Sequence, residues 1–376
     1  MTGYATQTFQ TNSITAARRH AEEAETRRSL PPAVMTRLLR ARASDGALDA
    51  TSIATAAALL KAGRLVALPT ETVYGLGANA LDASAAASIY AAKGRPSFNP
   101  LIVHVLDMEH ARPLCAEIPD VASRLAAAFW PGPLTLVVPR SPLVPNVVTG
   151  GGETVALRAP AHPAMRAVLE ACGVPIAAPS ANLSGSVSPT TAAHVLAGLD
   201  GRIDAVLDDG PCSVGIESTV VDCTALPIRV LRPGAISAAQ LAGVAGAVES
   251  ARLDQDSGVR ASPGLLTRHY APNGTVAMVP PNELSTVLAT LPDSARVGIV
   301  YTRGSQPCAD ARVVAREVLG PSADDAARSL YAALHAMDAA QCSHVLLEAP
   351  PATADWEAVA DRLRRAAAPS DAPTSA

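Results

Sequence analysis

Two positive charges, Lys93 and Arg95, flank a single glycine in a loop bounded by prolines. A triphosphate needs several fixed hydrogen-bond donors, and arginine adds two-point oxygen contacts where lysine acts as a point charge. Asn99 lies in the same loop, and His104 follows it in an apolar stretch. A solvated surface loop has the same appearance, but the polar residues on both sides favour a site for a small polar substrate beside a phosphorylated one.

Hydroxyl groups gather in the stretch PTETVYGLG, which directly follows an apolar run and contains Thr72. Arg158 ends another apolar run, VALR, and an arginine at a strand end is well placed to hold a carboxylate. A buried ion pair with Glu71 or Glu153 is the alternative for that side chain. His104 stands between two valines, where a histidine is more often a buried residue with satisfied hydrogen bonds than a catalyst.

The elements that must position these groups follow from the pattern of apolar residues. Runs at 65–68 and 101–105 are typical of strands buried on both faces. Between them, Asp82 can cap a helix over 85–92, which Gly94 ends. Strands and helices mix without strict alternation in this half of the chain, which predicts a twisted, mostly mixed sheet.

From residue 275 the alternation becomes regular. It predicts strands at 275–279, 296–302 and 344–349 and helices at 282–291, 322–341 and 355–368. Such alternation is typical of a small parallel-sheet α/β domain of Rossmann-like type. The domain has neither G-x-G-x-x-G nor G-x-x-x-x-G-K-[ST], so no nucleotide is assigned to it.

These patterns divide the chain into five parts. We expect a mobile extension over 1–50, a first domain over 51–243, a linker over 244–273, the Rossmann-like domain over 274–368 and a loose tail over 369–376. Residues 1–50 carry 7 arginines against 5 acids, so a basic arm that contacts RNA is the alternative reading of the extension. Met35 is an alternative start of the chain.

The composition bounds the class of protein. Of the 376 residues, 49% are hydrophobic and 17% charged, which indicates a globular chain. The net charge is −4, and residues 51–235 hold 12 Lys and Arg against 14 Asp and Glu, so no broad basic surface points to nucleic acid. The 6 cysteines form no C-x-x-C pair, which argues against a zinc site and against a secreted disulfide scaffold. With no signal pattern and no long apolar run, we expect a cytoplasmic protein without a membrane partner.

The usual signatures of protein nucleophiles and metals are missing from the sequence. We find no Ser/His/Asp arrangement typical of a catalytic triad, no paired carboxylates and no cluster of metal ligands. The sequence therefore predicts no metal-binding residues. The chemistry must therefore depend on positioning and on charge stabilisation.

Seven segments of the chain occur in the order and spacing of one family. They are PTETVYGLG, KGRPSFNPLIVH, WPGPLTLVV, VALRAPAHP, PIAAPSANLSG, GIESTVVD and LRPG. In these segments the chain resembles the threonylcarbamoyl-AMP synthases, over roughly Thr51 to Ala368. The resemblance implies a YrdC-like twisted mixed sheet with a concave cavity and the longer form with a Rossmann-like C-terminal domain. It also implies condensation of L-threonine, bicarbonate and ATP to L-threonylcarbamoyl-AMP and pyrophosphate, with Mg²⁺ accompanying the ATP.

The same resemblance assigns roles to individual residues. Lys93 and Arg95 would be the catalytic cations. L-Threonine would be held by Thr72, His104, Arg158, the backbone at Ala178, and Ser218. ATP would be held by Arg95, Asn99, Thr154, Ser180, Ser188, Arg232 and Tyr270. Tyr270 belongs to RHYAP, which looks like the linker segment that folds back over the nucleotide as a lid, although the preceding SPGLLT is less aromatic and less basic than the family pattern.

The implied partners and the rival functions follow from the family. In the family, the adenylate supplies the threonylcarbamoyl group to adenosine in tRNAs that read codons starting with A. We therefore expect a downstream tRNA threonylcarbamoyl transferase machinery as a partner, and a weak contact of this chain with tRNA. One rival is an RNA-binding YrdC-like module without adenylate synthesis, which the 3% aromatic content disfavours. Another is a carbamoyl transferase like the hydrogenase-maturation proteins, whose acylphosphatase-like region and zinc fingers are missing here. An inactive homologue is the third, and the intact arginines speak against it.

Overall fold

The structure, a computed structural model, describes residues 35–250, 269–302 and 309–368. Within these ranges the chain forms two β-sheets, one of 11 strands and one of 4. The strands of the larger sheet are β1 (Arg37–Arg40), β2 (Val66–Leu68), β3 (Gly75–Asn79), β4 (Ile102–His104), β5 (Leu134–Pro139), β6 (Thr154–Arg158), β7 (Ile176–Ala177), β8 (Ala205–Asp208), β9 (Thr219–Asp222), β10 (Ile228–Arg232) and β11 (Val248–Ser250). The helices around it are α1 (Ala50–Lys61), α2 (Ala83–Lys93), α3 (Met108–Ala111), α4 (Asp120–Phe129), α5 (Asn146–Thr149), α6 (Pro163–Cys172), α7 (Ala192–Leu199) and α8 (Ala238–Ala245).

The larger sheet is mixed, and this confirms the fold class predicted for the first domain. Its strand order is β1-β8-β2-β3-β7-β4-β6-β5-β9-β10-β11. Pairs such as β4 with β6 and β5 with β9 are parallel, whereas β2 with β3 and β9 with β10 are antiparallel. Because neighbours in the sheet are mostly distant in sequence, the sheet brings residues from separate segments together.

Helices cover the two faces of this sheet unequally. One face packs against α2, α4, α7 and α8 through side chains such as Ile89, Leu125 and Val195. On the opposite face, α1 and α6 pack over β1, β2, β7 and β8 through Leu60 and Leu169. The remainder of that second face carries a small apolar patch made of Ile102, Val137, Ala156 and Val220. Ile102 of this patch lines the same cavity as the polar residues of the candidate site.

The helix between the first two polar segments begins and ends as its sequence predicts. The side chain of Asp82 accepts hydrogen bonds from the backbone N–H groups of Ser84 and Ala85 at the start of α2. Gly94 ends the helix in the left-handed conformation, with a φ of 59°. The chain therefore leaves α2 at a defined angle, which sets the direction of the loop that carries Arg95.

Strand β1 lies within residues 1–50, which the sequence predicts to be a mobile extension. Its four residues pair in parallel with Ala205–Asp208 at the edge of the sheet. Asp49 then caps α1 by accepting from the backbone N–H groups of Thr51 and Ser52. The folded part of the chain thus begins before the boundary inferred from sequence, because arginines at both ends of so short a strand obscure its apolar pattern. Residues 1–34 lie outside the described residues, as does the tail 369–376.

The smaller sheet confirms the Rossmann-like second domain. Its strands are β12 (Thr275–Val279), β13 (Val297–Tyr301), β14 (Val313–Val318) and β15 (His344–Glu348), in the order β12-β15-β13-β14 and all parallel. Its helices are α9 (Leu284–Thr290), α10 (Ala323–Ala339) and α11 (Glu357–Ala367). The sequence does not predict strand β14, because exposed valines and the adjacent charged residues Arg316 and Glu317 remove the alternation of polar and apolar residue types from this edge strand.

The two domains contact each other closely at Gly215, in the loop before β9. This glycine has a φ of 84°, and a Cβ atom there would lie 2.4 Å from the Cα of Arg328 and 2.5 Å from the carbonyl oxygen of Ala327, both on α10. Only glycine allows the loop to approach the helix this closely. The loop that carries Glu217 and Ser218 is therefore held directly against the second domain.

Gly215→Ala should lower the free energy of unfolding more than Gly210→Ala does. Gly210 has a similar φ of 78°, but a Cβ there would meet nothing within 4 Å. Both variants should lose about 1–2 kcal/mol through the left-handed backbone, and G215A should lose about 1–3 kcal/mol more through the steric clash. Chemical denaturation of the two variants checks this. Equal losses would show that the contact with α10 gives way without cost.

Candidate active site

The polar residues of the larger sheet meet at one cavity on its second face. Strands β4 and β6 are adjacent and parallel there, with His104 in register with Arg158. The cavity has a volume of about 40 Å³, room for about three water molecules. Its lining comprises Thr70, Thr72, Val73, Gly75, Arg95, Ile102, His104, Arg158, Ala178, Pro179, Ser180, Glu217, Ser218, Arg232, His269 and Tyr270.

Arg158 is held in one orientation by three neighbours. Its Nη2 donates to Oε1 of Glu71 at 2.6 Å, its Nη1 to the hydroxyl of Thr72 at 2.8 Å, and its Nε to the carbonyl of Gly132 at 3.3 Å. Burial would raise the pKa of Glu71, but the guanidinium of Arg158 beside it lowers that pKa on balance. The sequence left two alternatives for Arg158, an ion pair with Glu71 and a position at a binding site. Both hold, because Arg158 pairs with Glu71 and also lines the cavity. Glu153 instead pairs with Arg140 at 3.6 Å.

His104 is an uncharged imidazole at neutral pH. Burial, and then the neighbouring charge of Arg158, lower its pKa from 6.5 to about 3. Its Nδ1 atom has no hydrogen-bond partner among the residues that the structure describes. A neutral imidazole can donate from one nitrogen and accept at the other, so it can bind a ligand without adding charge beside Arg158.

The loop after α2 fixes Arg95 through backbone carbonyl groups. Its Nε donates to the carbonyl of Asn99 at 3.2 Å, and its Nη2 to that of Pro100 at 2.9 Å. Burial lowers the pKa of Arg95 to about 10, so the side chain keeps its charge at neutral pH. The side-chain amide of Asn99 is fully buried, and neither of its polar atoms has a partner within the described ranges.

Lys93 lies behind the cavity wall. Its ammonium group donates to the carbonyl of Ser180 at 2.6 Å and to the carbonyl of Asn182. Burial, and then the charge of Arg95, lower the pKa of Lys93 well below its usual value. The side chain connects the end of α2 to the turn PSANLSG, in which Ser180 lines the cavity and its hydroxyl donates to Oδ1 of Asn182 at 2.5 Å.

Arg232, at the end of β10, binds the loop before β9. Its Nε and Nη2 donate to the carbonyl of Ser218 at 3.1 and 3.0 Å, and its Nη2 also donates to the Ser218 hydroxyl at 3.1 Å. The backbone N–H of Ala178 already donates to the carbonyl of Ile102 at 2.9 Å. A ligand contact with the backbone of Ala178 would therefore be made by its carbonyl group.

Glu217 joins the cavity to the second domain. Its carboxylate accepts from the Ser188 hydroxyl at 2.6 Å, from the Tyr331 hydroxyl at 2.8 Å and from Nε of Arg362 at 2.9 Å. Burial would raise the pKa of Glu217, but Arg362 and Arg232 together with these hydrogen bonds lower it to about 2. Arg362 is itself fully buried. Sequence reasoning assigns no role to Glu217, because its only signal in the sequence is a carboxylate within the hydroxyl-containing segment GIESTVVD.

His269 and Tyr270 close the cavity from the end of the linker. Tyr270 adopts a left-handed backbone with a φ of 64°, and its hydroxyl is buried without a partner among the described residues. The rings of His269 and Tyr270 pack edge to face, with their centres 4.0 Å apart. The guanidinium of Arg362 lies 5.5 Å from the centre of the Tyr270 ring. His269 was not singled out from the sequence. Residues 251–268 of the expected linker lie outside the described residues.

The structure thus brings most of the candidate site residues to one cavity. Those that line it are Thr72, Arg95, His104, Arg158, Ala178, Ser180, Ser218, Arg232 and Tyr270. The others are Lys93, Asn99, Thr154 and Ser188, which do not line it. Ser188 reaches it indirectly through Glu217, and Thr154 lies at the start of β6, paired with Pro139.

Two further observations concern metals and membranes. Among the described residues, no group of three or more His, Cys, Asp or Glu side chains is arranged to hold a metal ion. The helices within the same ranges include none that is long and apolar enough to cross a membrane.

Comparison with known proteins agrees with this architecture. The sequence model of a family named for Sua5, YciO and YrdC, described as "Telomere recombination", matches residues 58–234. A second model, described as "Threonylcarbamoyl-AMP synthase, C-terminal domain", matches residues 236–368. Together they define a two-domain protein with a YrdC-like first domain.

Individual relatives narrow the assignment. The chain is 41% identical to the threonylcarbamoyl-AMP synthase of Pyrococcus abyssi over 85% of its own length and 95% of the relative's. It is 42% identical to that of Bacillus subtilis, over 84% and 92%. The crystal structure of P. abyssi Sua5 complexed with L-threonine superposes with a TM-score of 0.82 at 40% identity, covering 89% of this chain and 98% of that one. The chain belongs to the threonylcarbamoyl-AMP synthase family.

Proposed function

We propose that this protein condenses L-threonine, bicarbonate and ATP to L-threonylcarbamoyl-AMP and pyrophosphate. The observation that carries the proposal is the single cavity in which Arg158, Thr72 and His104 lie beside Arg95 and Arg232. The first group suits the carboxylate and amine of an amino acid, and the two further arginines suit phosphate oxygens. The relatives named as synthases of this compound support the same reaction.

The geometry suggests how the residues divide the work. Arg158, held by Glu71 and Thr72, would bind the threonine carboxylate. The threonine nitrogen, as the free amine, then attacks the carbon of CO₂ formed from bicarbonate to give a carbamate, and the proton that the amine loses combines with the hydroxide from bicarbonate to form water. A carbamate oxygen attacks the α-phosphorus of ATP, and the bond from that phosphorus to the pyrophosphate oxygen breaks. Since no protein nucleophile is needed, Arg95 and Arg232 would act by offsetting the charge that develops on the phosphates.

Magnesium would enter this site together with ATP. The one acidic residue among those lining the cavity, Glu217, already accepts hydrogen bonds from Arg362, Tyr331 and Ser188. The described residues therefore fit a metal carried by the phosphate oxygens better than one held in a protein cage. When bound, the ion would neutralise phosphate charge.

Entry of both substrates would require the end of the linker to move. A cavity of about 40 Å³ is too small for an amino acid and a nucleotide. We infer that His269 and Tyr270 withdraw to admit the ligands and return to exclude water. Exclusion of water would protect the carbamate, which decomposes readily in solution.

The product is an activated carbamoyl group, so a transferase must consume it. We propose that the acceptor is adenosine in tRNA and that the reaction takes place in the cytoplasm. A direct, weak contact of this chain with tRNA is part of the proposal, but the arginines of the site are buried and the cavity is small. We therefore expect the adenylate rather than tRNA to be the ligand of the cavity.

Pyrophosphate release should require ATP, L-threonine and bicarbonate together. Omission of any one substrate should reduce release to background, because attack on the α-phosphorus requires the carbamate. The measurement is enzyme-coupled detection of pyrophosphate, with mass-spectrometric identification of the adenylate. Release with ATP alone would indicate simple hydrolysis, and tRNA binding without turnover would favour an RNA-binding module.

A further inference from the structure

Thr135 forms a hydrogen bond with Ser218 behind the cavity wall, and the proposed reaction assigns no role to Thr135. It lies on β5, is fully buried, and does not line the cavity. Its Oγ1 atom is 2.7 Å from Oγ of Ser218, either of which can be the donor. Ser218 does line the cavity, and its hydroxyl also receives a hydrogen bond from Nη2 of Arg232 at 3.1 Å.

The direction of the bond between the two hydroxyls follows from the partners available. Each hydroxyl has one proton to donate. Among the residues that the structure describes, the Thr135 hydroxyl has no partner other than Ser218. If Ser218 donated to Thr135, the proton of Thr135 would be buried without an acceptor, at a cost of about 1–3 kcal/mol. If Thr135 donates, both protons can be satisfied, because that of Ser218 is free to point into the cavity.

Ser218 then receives two hydrogen bonds and has one to give. One of the two donors is the guanidinium of Arg232, which polarises the hydroxyl and strengthens it as a donor. A hydroxyl in this state matches an oxygen that carries negative charge. It would not match an ammonium group, which can only donate.

We propose that Thr135 is a positioning residue that fixes the Ser218 hydroxyl as a donor into the cavity, where it binds an anionic oxygen of the amino-acid substrate. The inference rests on the proposed function and assigns the threonine carboxylate, rather than the ammonium group, to Ser218. Arg158 and Ser218 then grip the carboxylate from β6 and from the loop before β9.

The test compares Thr135→Val with Thr135→Ser. Valine keeps the shape but removes the donor, so the Ser218 hydroxyl is no longer oriented. We expect T135V to raise the threonine KM and the calorimetric Kd for L-threonine about tenfold, with the ATP KM and kcat close to wild type. T135S keeps the hydroxyl and should restore threonine binding. Because a buried Thr→Val change can also affect folding, Thr135→Ala serves as a second variant, and thermal unfolding is recorded for each.

A double-mutant cycle with Ser218→Ala separates positioning from a general structural effect. If Thr135 acts through Ser218, T135V should not weaken threonine binding further in the S218A background. An unchanged threonine Kd in T135V, or equal losses of T135V in both backgrounds, would overturn the inference. The binding measurement needs no turnover. A wild-type protein that binds threonine but releases no pyrophosphate would therefore contradict the proposed function and leave the role of Thr135 to be decided by the cycle.

Discussion

Lysine in place of Arg158 should raise the threonine KM about a hundredfold, with little change in the ATP KM. Lysine retains the positive charge, so Glu71 is not left alone in the interior. It loses the planar arrangement in which one guanidinium reaches Glu71, Thr72 and Gly132 while also facing the cavity. The expected loss therefore reports geometry rather than charge. Steady-state pyrophosphate release at varied threonine concentration measures it.

Arg229→Lys is the matched control for this substitution. Arg229 also pairs with a carboxylate, that of Asp222, at 2.6 Å, but its side chain is 51% exposed and lies outside the cavity. Its replacement should leave both Michaelis constants unchanged. If R158K kept a wild-type threonine KM, Arg158 would be a structural residue only, and the assignment of the carboxylate site would fail.

Arg362→Ala should destabilise the protein by about 3–5 kcal/mol. It should also reduce activity, although Arg362 does not line the cavity. Its guanidinium is fully buried and donates to Glu217 at 2.9 Å and to the carbonyl of Pro233 at 2.8 Å. Removal leaves the Glu217 carboxylate buried without its main counter-charge. Since Glu217 lines the cavity beside Ser218, its displacement should lower kcat as well. Urea denaturation and pyrophosphate release measure the two effects.

Arg364→Ala controls for the loss of an arginine from the same helix, because Arg364 is exposed. It should change stability by less than about 0.5 kcal/mol. Acid provides a second check on R362A. The folded-state pKa of Glu217 is about 2, below its ordinary 4.5, so its contribution to stability is present above about pH 4.5 and is lost as the pH falls toward 2. The difference between wild type and R362A should shrink over that range, and a difference independent of pH would mean that Glu217 is not the partner that matters.

Local sequence patterns were enough to predict much of the architecture. The run 65–68, the cap at Asp82 and the stop at Gly94 each correspond to an element of the structure, because burial and capping are determined by nearby residues. The regular alternation after residue 275 also predicted three of the four strands of the second sheet. Strand β14 was not predicted, because a strand at the edge of a sheet can carry charged side chains and these interrupt its apolar pattern.

The candidate site was less accessible to such reasoning. Arg158, Arg95 and Ser218 could be named from their motifs, but their approach to one cavity depends on strand order, which local pattern does not determine. Glu217 and Arg362 are the clearest case. A buried ion pair between residues 145 positions apart leaves no periodic trace in either segment, so only the folded chain reveals that the second domain reaches the cavity wall.

The position of Tyr270 has a consequence for how tightly the free protein can hold its first ligand. The withdrawal of His269 and Tyr270 that we propose would expose the buried Tyr270 ring and break two backbone hydrogen bonds, from His269 to the carbonyl of Arg365 and from Ala271 to the carbonyl of Gly185, each 3.2 Å long. At about 2 kcal/mol for the ring and about 1 kcal/mol for each bond, only about one molecule in a thousand would stand open. The measured affinity of the first arrival is then weaker than its intrinsic affinity by the same factor. The substrate that binds first would supply the free energy of opening, and the second substrate would bind to a protein that is already open. The two substrates would therefore bind cooperatively without contacting each other.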